Sequence, residues 1–131
     1  MLADLMHELA KDFELPGFPS EKEDTYTIPL DENLEIKVSA YQQGMLLFCS
    51  FAPIPSNNKE AFLQFMLHGN LFGQGTRDAV LGISMDVNLL TLSKAVAYTP
   101  NYKDFKDIVE DFINMVDYWR DAALKGQVGV P

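Results

Sequence analysis

Little in this chain is suited to cross-linking or to catalysis. Of its 131 residues, one is cysteine, two are histidine and one is tryptophan. A single cysteine, Cys49, excludes an intrachain disulfide. Its apolar neighbours give that thiol the character of a small hydrophobe rather than a nucleophile. His7 and His68 lie far from it in the sequence and carry no supporting motif. Basic residues are scarce too: 10 Lys and Arg stand against 19 Asp and Glu, a formal charge of -9. That balance excludes a general nucleic-acid binder, which needs a basic footprint to release phosphate counterions. It argues equally against docking on anionic lipid. No stretch approaches the roughly 20 apolar residues of a membrane-spanning helix, so no membrane insertion is expected. Met1 leads directly into an acidic amphipathic segment without a signal-peptide pattern, which points to the cytoplasm.

Apolar residues, by contrast, are plentiful. The chain is 47% hydrophobic, acidic but too apolar for disorder. Its length suits one domain over residues 1–131, with 126–131 expected as a flexible tail. The charge is uneven. Residues 1–32 hold nine acids and two bases, which is -7 of the total -9. The other 99 residues are close to neutral.

Periodicity predicts the elements. Leu2, Leu5, Met6, Leu9, Ala10 and Phe13 recur at helical spacing, and Pro16, Gly17 and Pro19 stop that helix. Three strands follow: Thr25 to Leu30, Leu34 to Tyr41, and Met45 to Ala52. The third is apolar on both faces. Met45, Leu47, Cys49 and Phe51 suit a core, while Leu46 and Phe48 point the other way and need a cover. Asn57 with Glu60 has the spacing of a capping box for a helix running to about Phe72. That helix carries two apolar stripes, Phe62, Phe65, Met66, Gly69 and Phe72, and then Leu63, Leu67 and Leu71. A hairpin around Val87-Asn88 joins Ala79–Asp86 to Leu89–Ala97. Thr99-Pro100 reads as the start of a last helix, with a stripe of Phe105, Ile108, Val109, Phe112, Val116, Trp119 and Ala123. Strands grouped into meanders predict an α+β fold of order α-β-β-β-α-β-β-α, with a mainly antiparallel twisted sheet packed by helices.

No catalytic or phosphate-binding motif is present. Gly73-Gln74-Gly75 follows a helix and precedes a strand, the reverse of a phosphate cradle. Acid pairs such as Asp107 with Asp111 share one helix face without a further ligand and read as a solvated face. No metal and no cofactor are expected. The informative feature is the apolar excess. Helices on both sheet faces would account for part of it. A homodimer with a surface for an apolar partner accounts for more.

The stretch Met66-Leu67-His68-Gly69-Asn70-Leu71-Phe72-Gly73-Gln74-Gly75-Thr76, followed by Ala79-Val80-Leu81-Gly82-Ile83, carries a family likeness. It resembles the class I type III secretion chaperones of the Tir-chaperone (CesT-like) group. Supporting matches are the amphipathic opening helix, the strand from Leu46 to Phe51 leading into Pro53, and a last helix with Phe112 and Trp119. Asp86 to Leu89 and Lys94-Ala95 fit more loosely. The resemblance implies a cytoplasmic homodimer of a Gram-negative bacterium, with no catalysis and no cofactor. The dimer would bind the extended amino-terminal segment of a secreted effector and keep it soluble and secretion-competent until the secretion ATPase strips it off. By the family pattern, the dimer contact falls on Phe62, Phe65, Leu67, Leu71, Val80 and Met85. The effector grooves fall on Leu5, Leu9, Phe13, Phe48 and Leu92, although Leu5, Leu9 and Phe13 equally suit sealing the core. The rival readings are a small α+β ligand-binding protein or enzyme with a closed apolar pocket, and an adaptor of this fold outside secretion.

Overall fold

The computed structural model describes residues 2–125 apart from Gln74 and Met85. The expected tail at 126–131 therefore lies outside the described residues, as does the side chain of Phe72. In chain order the elements are helix α1 (Leu2–Asp12), strands β1 (Ser20–Lys22), β2 (Thr25–Asp31), β3 (Leu34–Tyr41) and β4 (Gly44–Pro53), and helix α2 (Lys59–Asn70). A 3-10 turn over Leu71–Gly73 leads to strands β5 (Val80–Ser84) and β6 (Leu89–Val96), and helix α3 (Tyr102–Lys125) closes the chain. This is the expected α+β order with one addition, the three-residue strand β1.

The strands form one sheet in the order β1-β2-β3-β4-β6-β5, every neighbouring pair antiparallel. Strands β1 and β5 are thus its edges. In the two central pairings Lys37 lies opposite Phe48, and Phe48 lies opposite Ser93. Because directly opposed residues share a face, these side chains belong to one side of the sheet. Met45, Leu47, Cys49 and Phe51 belong to the other and join the core. That core also takes in Leu5, Met6 and Leu9 of α1, Phe62, Phe65 and Met66 of α2, and Phe105, Val109, Phe112, Val116 and Trp119 of α3. All three helices therefore serve one cluster on one face, which removes the alternative that helices on both faces absorb the apolar excess. Burial in this cluster pushes the Cys49 thiol up to about 12, so it stays protonated and unreactive at neutral pH.

Two helix starts differ from the sequence pattern. Helix α2 opens at Asn58, which adopts a left-handed φ of 55° and makes no side-chain cap bond. The Asn57–Glu60 capping box is therefore not formed. Helix α3 is capped by Asn101 rather than Thr99: Asn101 Oδ1 accepts from the Asp104 amide at 2.9 Å. Thr99 Oγ1 instead donates to the Gln43 carbonyl at 3.2 Å. The hydroxyl ties the β3–β4 turn to the end of the sheet, and Asn101, two positions on, takes the cap.

Candidate functional site

Helix α2 carries two stripes with opposite fates. Phe62, Phe65, Met66 and Gly69 are buried. Leu63 is half-buried, and Leu67 and Leu71 stand 70% and 52% exposed. Val80, at the start of the adjoining edge strand, is 58% exposed. These side chains bracket a tightly built corner. A Cβ on Gly69 would lie 2.6 Å from the Trp119 ring, and one on Gly75 would lie 2.7 Å from the Gly69 Cα. Only glycine allows either approach. The Gly75 amide donates to the Gly69 carbonyl at 3.0 Å, and Trp119 Nε1 donates to the Gly75 carbonyl at 3.0 Å. Asn70 then reaches across to β5. Its Oδ1 accepts from the Leu81 amide at 2.8 Å, and its Nδ2 donates to the Leu81 carbonyl at 3.0 Å. Leucines on a helix end and a valine on a strand edge are thereby fixed on one rigid frame.

The second surface is the helix-free face of the sheet. Phe48 is 38% exposed there, with Leu46 and Leu89 half-buried and outside the core cluster. Beside Phe48 lies a depression of about 440 Å³, lined by Leu89, Ser50, Lys37, Glu35 and the β2–β3 turn residues Asp31 to Leu34. Its rim is held by ion pairs. Arg120 Nη1 reaches Asp31 Oδ2 at 2.9 Å, and Lys37 Nζ lies 3.3 Å from Glu35 Oε1. An apolar floor with a polar, paired rim suits an extended peptide that alternates apolar and polar side chains. Among the described residues no cluster of three or more His, Cys, Asp or Glu could hold a metal.

A third apolar element is the exit of α1. Phe13 is exposed and meets Phe18 edge to face, with centroids 6.1 Å apart. The end of this helix is tethered to α3. The Tyr102 hydroxyl donates to Asp12 Oδ2, and Lys106 Nζ lies 3.4 Å from the same oxygen. The Tyr102 hydrogen bond, aided by Lys106, holds the Asp12 carboxyl below the usual carboxylate range. Burial, reinforced by the Asp12 charge, pushes the Tyr102 hydroxyl well up.

The residues expected at interfaces thus divide. Leu67, Leu71, Val80, Phe13 and Phe48 are at the surface. Phe62, Phe65, Leu5, Leu9 and Leu92 are buried in the chain's own core and cannot be reached by a partner in this conformation. Met85 lies outside the described residues. Leu92 is inward because it lies opposite Cys49 and Leu81, both core residues. Asn70 escaped the sequence reading, because a helix-ending Asn looks like a local cap and its partner is 11 residues away.

A family model, the Tir chaperone protein (CesT) family, matches residues 4–120. A Chlamydia pneumoniae protein is 31% identical over 99 residues, which cover 72% of this chain and 73% of that protein. Among solved structures, the fold is similar to a chain of the ExsC–ExsE complex, with a TM-score of 0.75, 15% identity, and coverage of 93% of this chain and 92% of that one. It is similar also to a chain of the HopA1–SchA chaperone–effector complex, with a TM-score of 0.72, 16% identity, and coverage of 91% and 92%. A third likeness is to the complex of the Yersinia pestis type III secretion chaperone SycH with a fragment of YscM2, with a TM-score of 0.70, 14% identity, and coverage of 91% and 97%.

Proposed function

The chain belongs to the Tir chaperone protein (CesT) family, and on that premise we propose that it is a homodimeric type III secretion chaperone. In this reading it acts in the cytoplasm, where it holds the extended amino-terminal segment of a secreted effector. The observation that carries the proposal is apolar surface left over after the core is complete. Leu67 and Leu71, with Val80 of the adjoining sheet edge, whose side chain lies on the helix-free face opposite Ser93, form the self-association patch around the α2–β5 corner. Phe48 and Leu89 form the floor of an effector groove, Leu46 extends it along the same sheet face, and Phe13 adds apolar surface at the α1 exit. The buried residues Phe62, Phe65, Leu5, Leu9 and Leu92 support these surfaces from inside. In support, two of the structurally similar chains come from complexes, one a chaperone–effector complex and the other a type III secretion chaperone with a stable fragment of YscM2.

An unfolded segment loses entropy on ordering, so it needs a wide apolar surface to gain net affinity. Two protomers double that surface. The formal charge of -9 per chain would give a dimer about twice that charge, which keeps an otherwise adhesive surface from associating at random. Release would fall to the secretion ATPase, as the family resemblance implies. The test is affinity capture from the native cytoplasm followed by limited proteolysis. A co-purifying, protease-protected amino-terminal fragment of another protein is the expected result. A protein that captures only small molecules, or one that is a stable monomer at micromolar concentration, would overturn the reading.

A further inference from the structure

We infer that Asn70 is the positioning residue of the self-association surface: it sets the geometry of the patch without itself being part of the contact. The inference rests on the dimer reading above and says what holds that surface in shape. The two halves of the patch belong to different elements, Leu67 and Leu71 to α2 and the 3-10 turn that follows it, and Val80 to the edge strand β5. Nothing covalent keeps them in register except a loop of several residues. The joint between them is the Asn70 side chain, whose amide meets both backbone groups of Leu81 at 2.8 and 3.0 Å.

An edge strand normally presents alternate residues with N–H and C=O unpaired. At Leu81 both groups turn toward α2, and a primary amide is the side-chain group that can donate and accept in this arrangement. Asn70 therefore takes the place that a neighbouring strand would take. The reach is fixed as well as the chemistry. Gly69 lies against Trp119, and Gly75 lies against Gly69, so the helix end cannot shift to accommodate a longer or shorter side chain. Leu71 follows Asn70 in the chain and Val80 precedes Leu81, so the pair of hydrogen bonds sets the spacing of the apolar groups that flank it. Leu67 lies one turn back on the same helix face as Leu71. A surface assembled before encounter loses less entropy on binding than one assembled during it.

Four variants and one measurement on the unaltered protein test this. Asn70→Ala removes both bonds and is expected to weaken self-association by about tenfold or more. Asn70→Asp keeps the acceptor for the Leu81 amide but sets a carboxylate against the Leu81 carbonyl, and should weaken association to a similar degree at neutral pH. Val109→Ala, a core truncation remote from the patch in sequence, lowers the melting temperature but should leave the dissociation constant within about twofold. Equal weakening by Val109→Ala and Asn70→Ala would mean generic destabilisation and overturn the inference. If Leu67→Asp splits the dimer while both Asn70 variants associate like wild type, Asn70 has no such role although the dimer stands. A wild-type monomer removes the dimer reading and this inference together. Should the Asn70 variants fail to fold, amide exchange at Leu81 decides on the wild-type chain. The expected protection is the same in dimer and diluted monomer; protection found only in the dimer would show that the partner, not Asn70, orders the joint.

Discussion

The two sides of strand β4 hold similar residues and have different fates. Inward, Met45, Leu47, Cys49 and Phe51 are each almost completely shielded by the helices. Outward, Leu46 and Phe48 are as apolar but keep contact with solvent, beside Lys37 and Ser50. Hydrophobicity alone does not separate the sides; the helices do, because all their buried stripes converge on one cluster. The inner side is tied to stability. The outer side adds little to the fold of one chain, so its apolar character points to a partner.

The sharpest way to test that division is to truncate its inner side. Leu47→Ala should lower the unfolding free energy by about 2–5 kcal/mol, read by urea denaturation. Loss within experimental error would mean that the core is not where the burial places it. Next comes a charge on the surface. Leu67→Asp should keep the circular dichroism of wild type yet leave a monomer by light scattering, because a buried unpaired carboxylate opposes association. Phe48→Ser should weaken effector binding by about tenfold in calorimetry with little change in melting temperature. A large fall in melting temperature would instead make Phe48 a core residue and erase the contrast between the sides.

The smallest effect is expected at the α1–α3 tether. The Asp12 carboxyl is held below its ordinary value by the Tyr102 hydroxyl and Lys106. A depressed carboxylate contributes stability that is present above its unfolded value and lost as pH falls through its folded value. Asp12→Asn should therefore lower the melting temperature slightly at neutral pH, and the difference should shrink as the solution is acidified below the carboxylate range. A gap that persists in acid would show that the charge is not what matters.

Most of the fold is legible in the sequence, because alternation and helical spacing mark α1, β2, β3, β6 and α3 directly. What escapes is instructive. Strand β1 has three residues, follows Pro19, and pairs with β2 through an irregular register, so no periodicity can reveal it. The cap of α3 falls on Asn101 because the Thr99 hydroxyl is taken by the distant Gln43 carbonyl, a tertiary contact that local spacing does not reveal, and α2 opens at Asn58 with no side-chain cap at all. The candidate site is less legible than the fold. Two stripes on α2 are visible in the sequence, but their order of burial depends on where Trp119 and the sheet lie. That dependence explains why Phe62 and Phe65 are inside while Leu67 and Leu71 are out. Similarly, the alternation along β6 leaves open which set faces the helices, and the pairing of Leu92 with Cys49 decides it.

Trp119 has a consequence of its own. It is the only tryptophan in the chain, it is 1% exposed, and it touches Phe65 and Gly69 while its indole nitrogen bonds to the Gly75 carbonyl. The chain thus contains an intrinsic fluorophore at the junction of α2, α3 and the loop into β5. Its emission wavelength and quenching report on that corner without any label. Loosening of the joint should be visible as a red shift, even where the rest of the fold stays intact.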